Sequence, residues 1–314
     1  MHTEPDFKSI AIVGAGALGS FMAARLRLSG AALRLIGRPA QVQALRRGGL
    51  VLHGAGTPQP VDVQADTDIA SVQGADLVLV AVKSADTATV AQQLAPWLQA
   101  GAVVLSLQNG VENAALLMQA LPQARVVAAL AYIAAAQPEP GQVQHHGGNE
   151  LVIGDVSAPA VSPLPALARL LEGAGFVVRV SADVQAELWR KLIVNSAWNA
   201  VSALTQTAYG VIATQAGIAE LQQAVLNEAV AVAQADGVQL SMPALQAAVQ
   251  AVALKMAPQR SSTAQDLARG RPSEIDHLNG YIVRRAAVHG MAAPMNQALW
   301  ALVKLAETRQ AAPA

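Results

Sequence analysis

The feature that most restricts the fold of this chain is the stretch SIAIVGAGALGS, residues 9–20. An apolar strand leads into Gly14, Gly16 and Gly19 in the spacing G-x-G-x-x-G, and a helical segment follows directly. The first glycine permits a tight turn, the second lets a pyrophosphate approach the backbone, and the third lets helix and strand pack closely. A glycine turn alone is a weak signal, but strand, turn and helix agree here, so we expect a dinucleotide cofactor. The cofactor-binding residues predicted from this loop are Gly14, Ala15, Gly16, Ala17, Leu18 and Gly19.

The first half of the chain repeats one pattern, in which a short apolar run and a turn precede a helical stretch. Continuous apolar runs separated by helices indicate a parallel sheet that is covered on both faces. We therefore predict the α/β fold class, with an N-terminal Rossmann-type doubly wound sheet over residues 1–182. Residues 141–147 and 149–154 alternate in polarity instead and predict an antiparallel addition to this sheet. The apolar runs that predict the parallel strands are residues 9–13, 32–36, 75–82, 102–107 and 125–130.

The second half reads as helices only, which predicts an all-α C-terminal domain over residues 183–314. Its helical pattern is interrupted at glycines and prolines, among them Gly210, Gly237 and Gly290. Repeated alanine favours helix formation and close packing rather than chemistry. The apolar helices between residues 211 and 257 suit either a domain core or the face of a homodimer, and core is the simpler expectation.

The end of the second apolar run indicates which dinucleotide binds. An NAD site usually places a carboxylate on the ribose about 20 residues after the glycines, yet no acid occurs between Asp6 and Asp62. Arg38 follows Gly37 at this point, and its planar guanidinium can pair with a 2′-phosphate, which favours NADP. Arg34 is an alternative phosphate ligand, and a solvated loop arginine is the alternative interpretation of Arg38.

Composition excludes several classes of function. The chain has 21 basic and 21 acidic residues, so no net field attracts nucleic acid or an anionic membrane, and a small-molecule partner is expected. It has no cysteine, which removes disulfides, thiolate metal sites and a cysteine nucleophile and suits a cytoplasmic protein. The apolar run 126–136 is too short to span a membrane, and the N-terminus lacks the basic region of an export signal. The six histidines lack the spacing of a metal site.

Two polar clusters occur in the helical half. Lys191, Asn195 and Asn199 lie on one face of a helix, with Glu187 one turn earlier. The alternative interpretation is a set of hydrogen-bonded structural amides and a lysine whose stem packs on the protein.

The second cluster is SSTAQDLARGRPSEIDHLNGYIV, residues 261–283. Ser262 with Gln265 fits a helix capping box, and Ser273 before Glu274 fits another helix start. Taken singly, each of these polar residues is better explained as a cap than as a catalyst.

Taken in order, the motifs resemble the ketopantoate reductase (2-dehydropantoate 2-reductase) family of the wider 6-phosphogluconate dehydrogenase-like group. They are the glycine loop, AVKS (81–84), LQNG (107–110), WRKLIVNSAWNAVSAL (189–204) and the cluster 261–283, and the resemblance covers residues 9–305. It implies NADPH-dependent reduction of ketopantoate to pantoate, a step of pantothenate biosynthesis, in a cleft between the two domains. The alternatives are an NADP-dependent reductase of another branched 2-oxo acid and a cofactor-binding sensor without turnover.

The resemblance also implies residue roles. Lys191 is expected to be the general acid and Glu274 to assist it. Lys83 and Asn109 are expected beside the cofactor and the reacting carbonyl, and Arg38 on the 2′-phosphate. The resemblance leaves open by one position whether Ser261 or Ser262 holds the carboxylate. The substrate-binding residues that it implies are Asn109, Asn195, Asn199 and Ser262.

Overall fold

The structure, a computed structural model, describes residues 7–157 and 161–311, with the side chains of 309–311 left out. The expectation that no export signal is present rests largely on residues 1–6, which lie outside the described residues. The chain divides into two compact units, and the division falls between Val184 and Gln185.

The first unit consists of one sheet with helices on its faces. Its described residues also include 3₁₀ turns at Ile69–Val72 and Ser84–Asp86. Its strands are β1 (Ile10–Val13), β2 (Leu33–Ile36), β3 (Leu50–His53), β4 (Gln59–Val61), β5 (Gln64–Asp66), β6 (Leu77–Val80), β7 (Val103–Ser106), β8 (Arg125–Ala136), β9 (Gln142–Asp155) and β10 (Val177–Val180). Its helices are α1 (Ala17–Leu28), α2 (Pro39–Gly48), α3 (Thr87–Leu94), α4 (Asn113–Ala120) and α5 (Leu164–Gly173).

The sheet has ten strands and confirms the predicted fold class. Strands β5, β2, β1, β6, β7 and β8 are neighbours in that order and run parallel. The order reverses on either side of β1, which is the doubly wound arrangement, and ligands of such sheets bind at the carboxyl ends of the strands near this reversal. Strands β1, β6 and β7 are buried along their whole length because helices cover both faces.

The predicted antiparallel addition is also present, but it is longer than the apolar pattern indicated. Strand β9 is continuous from Gln142 to Asp155 and pairs antiparallel with β8, with register shifts near Ala134. Only the first half of β8 is buried, so an apolar run could predict only that half. The short strands β3, β4 and β5 were not predicted, because their three or four residues carry too little apolar pattern.

The second unit, over the described residues 185–311, contains helices and turns only. One 3₁₀ turn lies at Ile275–His277. The expected break at Gly210 is wrong: this glycine lies inside the second helix, where an added Cβ would come 2.9 Å from the Ala257 side chain. The break falls just before it, at Gln206, whose φ is 52°. The helices are α6 (Val184–Thr205), α7 (Tyr209–Ala213), α8 (Ile218–Ala235), α9 (Met242–Lys255), α10 (Ser262–Ala268), α11 (Asn279–Val288) and α12 (Pro294–Ala311).

Across the part of the chain that the structure describes, no helix combines the length and the apolar character that a membrane span requires.

Candidate active site

The glycine loop joins β1 to α1 at the carboxyl edge of the sheet. The amide of Gly14 donates to the carbonyl oxygen of Ile36 at 2.8 Å, and Gly14 has φ of 115°. A Cβ on Gly14 would lie 2.7 Å from the carbonyl carbon of Ala81, so the turn requires glycine. A Cβ on Gly16, by contrast, would meet no atom within 4 Å. The second glycine therefore leaves open space at the N-terminus of α1, which fits a pyrophosphate group.

The end of β2 lies beside this loop. A Cβ on Gly37 would come 2.6 Å from the Cβ of Ala15, so the two segments are packed together. Arg38 follows directly, and its guanidinium is paired with Asp86 at 3.0 Å, with 79% of the arginine side chain exposed. Arg34 instead donates to the carbonyl oxygen of Ser71 at 2.6 Å. Both arginines considered for the 2′-phosphate are exposed, but only Arg38 directly follows Gly37, which packs against the glycine loop.

Lys83 and Asn109 follow β6 and β7 on the same edge of the sheet. Their loops are held together by hydrogen bonds to backbone oxygens. The hydroxyl of Ser84 donates to the carbonyl oxygen of Asn109 at 2.8 Å, and the amide of Asn113 donates to the same oxygen at 2.5 Å. Gln108 donates to the carbonyl oxygen of Val82 at 3.1 Å. The structure therefore brings Lys83 and Asn109 to the same edge as the glycine loop.

Helix α6 carries the polar face predicted for the second unit. Trp189 and Ile193 are fully buried on other sides of the helix and fix its orientation. Lys191 and Asn195 are half-buried, whereas Asn199 is buried. The face is therefore confined, and it is not a solvated helix surface.

The ammonium group of Lys191 is electrostatically unusual. Burial lowers the pKa of Lys191 from 10.5 to about 8, and the negative charge of Glu274 acts against this shift. Glu274 is therefore close enough to act on the charge of Lys191, although it is far from it in sequence. Glu187, the acid one turn earlier on α6, is instead ion-paired with Arg190. A lysine whose pKa lies near neutral pH is suited to general acid chemistry.

Asn199 is fixed by two neighbours. The Tyr209 hydroxyl donates to the side-chain oxygen of Asn199 at 3.4 Å, and the hydroxyl of Ser261 donates to the backbone carbonyl oxygen of Asn199 at 3.2 Å. Burial raises the pKa of Tyr209 to about 12, so this hydroxyl stays protonated at neutral pH. Because the side-chain oxygen of Asn199 accepts this hydrogen bond, the NH₂ group of the same side chain can donate to a ligand.

The helix cap expected at Ser262 lies one residue earlier. Ser261 is buried and accepts from the backbone amide of Ala264 at 3.0 Å, so it is the N-cap of α10. Gln265 does not complete a capping box, because its side chain donates to the carbonyl oxygen of Arg260. Ser262 is exposed at the first position of the helix. Since the hydroxyl of Ser261 is used internally, Ser262 is the better placed of the pair to contact a ligand.

The segment that holds Glu274 is not the helix start expected at Ser273. Ser273 donates through its hydroxyl to Glu307 at 2.7 Å, and Glu274 stands immediately before the short 3₁₀ turn Ile275–His277. Asp276 accepts from Trp300 at 2.6 Å. The residues on both sides of Glu274 are thus attached to α12, which restrains this acid.

Among the described residues, no group of three or more histidine, aspartate and glutamate side chains is arranged to hold a metal ion.

Two family models cover most of the chain. Residues 10–158 match the model described as "Ketopantoate reductase PanE/ApbA", and residues 183–307 match the model for the C-terminal region of the same family. The chain belongs to the ketopantoate reductase family. This membership confirms the resemblance drawn from the motifs and the expectation of an oxidoreductase.

Individual relatives of the ketopantoate reductase family agree. The 2-dehydropantoate 2-reductase of Halobacterium salinarum is 36% identical over 301 residues, which cover 95% of this chain and 98% of that protein. A solved ketopantoate reductase from Ralstonia eutropha JMP134 is 45% identical, with a TM-score of 0.89, and the match covers 97% of this chain and 100% of that one. D-mandelate dehydrogenase, solved with NADH and anilino(oxo)acetate, has a TM-score of 0.91 over the same shares at 23% identity, which supports the fold alone.

Several residues that shape the candidate sites of the two units were not predicted from the sequence. Gln108 and Asn113 restrain the loops of the first unit, and their signal was polarity within a buried strand-to-helix connection. Asn279 is buried and hydrogen-bonded at the start of α11, and its signal was an amide inside the motif 261–283. Tyr209 had no recognisable signal, because its contact with Asn199 depends on how α7 packs.

Proposed function

We propose that this protein reduces ketopantoate to pantoate with NADPH, as a step of pantothenate biosynthesis, and that Lys191 is the general acid. The observation that carries this proposal is the partly buried Lys191, whose pKa is lowered to about 8, next to the charge of Glu274. Family membership supplies the reaction class, and the chemistry of the side chains supplies the roles. The absence of cysteine suits the reducing cytosol, and we propose a cytoplasmic enzyme.

The proton donor follows from the demands of the reaction. When a ketone becomes an alcohol, its carbon gains a hydride and its oxygen develops negative charge and gains a proton. A cation that also donates the proton stabilises this oxygen. With a pKa of about 8, Lys191 is mostly an ammonium at pH 7, yet it gives up its proton far more readily than a lysine with a pKa of 10.5. After the transfer Lys191 is a neutral amine, which its desolvated surroundings favour.

The remaining polar groups of the second unit orient the substrate. Glu274 holds the Lys191 ammonium and accepts from a substrate hydroxyl. Asn195 and Asn199 donate to substrate oxygens, and Ser262 binds the carboxylate. Because Asn199 is buried and Asn195 and Glu274 are partly buried, a substrate that lacks the matching oxygen leaves one of these polar groups unpaired, which gives discrimination.

The first unit holds the cofactor. NADPH, when bound, supplies the hydride. The open space at Gly16 and the backbone amides of residues 15–19 would receive the pyrophosphate, and Arg38 would pair with the 2′-phosphate in place of Asp86. Lys83 and Asn109 would lie beside the nicotinamide end of the cofactor and the reacting carbonyl of the substrate. D-mandelate dehydrogenase, which shares the fold, binds NADH, so the coenzyme needs a direct test.

The test is an NADPH-oxidation assay with ketopantoate and 2-oxoisovalerate, each repeated with NADH. We expect ketopantoate with NADPH to give the largest kcat/KM. We expect Lys191→Ala to reduce kcat by at least about a hundredfold, in the range typical of losing a general acid. The matched control is Lys255→Ala, which removes an exposed lysine at the C-terminal end of α9 and should leave kcat unchanged.

Three results would contradict the proposal. A preference for 2-oxoisovalerate would assign the enzyme to another branched 2-oxo acid, and NADPH binding without turnover of any 2-oxo acid would indicate a sensor. Near-normal turnover in folded, NADPH-binding Lys191→Ala protein would remove the lysine from the mechanism.

A further inference from the structure

The start of α11 carries a buried chain of polar side chains that has no direct part in the proposed reaction. Asn279 and Asn296 are both 0% exposed. The side-chain amide of Asn279 donates to the carbonyl oxygen of Ser196 at 3.1 Å and to Oδ1 of Asn296 at 3.0 Å. The Asn296 amide in turn donates to the carboxylate of Glu228 at 2.7 Å. The chain of hydrogen bonds thus runs from α8 through α12 and α11 to α6.

The outer end of this chain is firmly anchored. The Glu228 carboxylate also accepts from the backbone amides of Met295 at 2.8 Å and Asn296 at 3.0 Å. These amides lie in the first turn of α12, where a negative charge is stabilised by the helix dipole. Glu228 therefore fixes the Asn296 side chain, which in turn orients Asn279.

Stability alone does not explain these groups. Oδ1 of Asn279 and the hydroxyl of Ser196 are buried and have no hydrogen-bond partner among the described residues. A buried polar atom without a partner loses its hydration and gains nothing in return, whereas apolar side chains of the same size would pack without that loss.

Asn279 connects the segment that carries Glu274 to the helix that carries Lys191. It follows Glu274 across the 3₁₀ turn Ile275–His277, and its partner Ser196 lies on α6 between Asn195 and Asn199. An aromatic contact between Trp189 and Tyr281, with ring centroids 5.6 Å apart, also joins α6 to α11. That contact holds the helices together but tolerates a shift of one along the other. A hydrogen bond depends on distance and angle, so it fixes the position of one helix along the other.

We propose that Asn279 is a positioning residue, which locks the turn that carries Glu274 onto the helix that carries Lys191. The inference rests on the proposed function. Asn279 touches neither substrate nor cofactor in this account; it acts by keeping the Glu274 carboxylate near the Lys191 ammonium. A displacement of about 1 Å at such a pair is enough to reduce turnover strongly.

The consequence for Lys191 has a definite sign. Burial lowers the pKa of Lys191 and the charge of Glu274 raises it, so moving Glu274 away lowers the pKa below about 8. The other acids near this segment already have partners of their own. Glu187 pairs with Arg190, and Asp276 accepts from Trp300 and Lys304. The protonated form is the active one, so the loss of activity at high pH should begin at a lower pH.

The experiment compares Asn279→Ala and Asn279→Leu with Asp236→Asn. Asn279→Leu keeps nearly the size of the side chain, adds no charge and removes both donated hydrogen bonds. Asp236→Asn is the matched control, because Asp236 accepts from Arg285 at 2.9 Å and ties the other end of α11 to α8. All three variants should lower the melting temperature.

Only the Asn279 variants should change the chemistry. We expect kcat to fall about tenfold or more, with the KM for NADPH changed by less than about twofold. The pKa of Lys191, measured from the pH dependence of its acetylation by peptide mass spectrometry, should fall in the Asn279 variants and stay at the wild-type value in Asp236→Asn. If Asn279→Ala does not fold, Asn296→Ala breaks the same chain one link further and should shift the pKa in the same direction.

The two proposals fail in different ways. If Lys191→Ala retains turnover, the proton donor of the proposed function is wrong, whatever Asn279 does. If Lys191→Ala is inactive but the Asn279 variants keep the wild-type kcat and the wild-type pKa of Lys191, the positioning role alone is overturned. A fall in melting temperature without a change in either quantity would make Asn279 a residue of stability only.

Discussion

The open space at Gly16 predicts that a substitution there weakens cofactor binding but hardly changes the stability of the protein. Gly16 has φ of −83° and ψ of −167°, which alanine also adopts, and its Cβ would meet no atom within 4 Å. Alanine is a poorer helix N-cap than glycine, but it also reduces the freedom of the unfolded chain, and these effects oppose each other. We expect Gly16→Ala to change the free energy of unfolding by less than about 1 kcal/mol.

Cofactor binding should respond differently. The added methyl group would occupy the space through which the pyrophosphate approaches the backbone amides. Loss of one charge-assisted hydrogen bond removes about 1.5–3 kcal/mol, and about 1.4 kcal/mol corresponds to a tenfold change in Kd. We therefore expect Gly16→Ala to weaken NADPH binding by about tenfold to a hundredfold.

The comparison variant is Gly14→Ala. Its Cβ would lie 2.7 Å from the carbonyl carbon of Ala81 and 2.8 Å from the amide nitrogen of Val82, at a φ of 115°. This variant should lose stability before any cofactor is added. The assays are thermal unfolding without ligand and titration of NADPH fluorescence. Wild-type NADPH affinity in Gly16→Ala, or a loss of stability as large as that of Gly14→Ala, would refute the assignment of this space to the pyrophosphate.

Two further predictions concern single side chains. Arg38→Gln should weaken NADPH binding about tenfold and NADH binding less than about twofold, with the difference shrinking at high salt because the guanidinium is exposed; equal effects on both coenzymes would favour the solvated-loop interpretation. Tyr209→Phe removes the hydroxyl that donates to Asn199, so the KM for ketopantoate should rise by about threefold to tenfold, the equivalent of one neutral hydrogen bond. An unchanged KM would show that Asn199 needs no such orientation.

The sequence was most informative where one strong local rule applied. The glycine loop predicted the β1–α1 turn because only glycine tolerates the backbone of Gly14 and the approach of Ala81. Apolar runs predicted the strands buried on both faces, such as β1 and β6. They could not predict the outer half of β8 or the strands β3 to β5, where exposed and polar residues are held in place by pairing with neighbouring strands.

For the candidate site, helical spacing placed Lys191, Asn195 and Asn199 on one face but could not indicate their burial. The proximity of Glu274 to Lys191 depends on how helices distant in sequence pack. The sequence placed the N-cap of α10 at Ser262, one residue too late, because Ser261 and Ser262 are the same residue type. Only the tertiary contact of Ser261 with Asn199 distinguishes them.

The central claim is that the Lys191 ammonium donates the proton to the reduced carbonyl. It is tested most directly by the pH dependence of kcat/KM for ketopantoate at saturating NADPH. The protonated lysine is the active form, so activity should be present below its pKa and lost as the pH rises through about 8. Above that point activity should fall about tenfold per pH unit, as expected for a single essential acid. A flat profile up to pH 10, or the same descending limb in the residual activity of Lys191→Ala, would contradict the account.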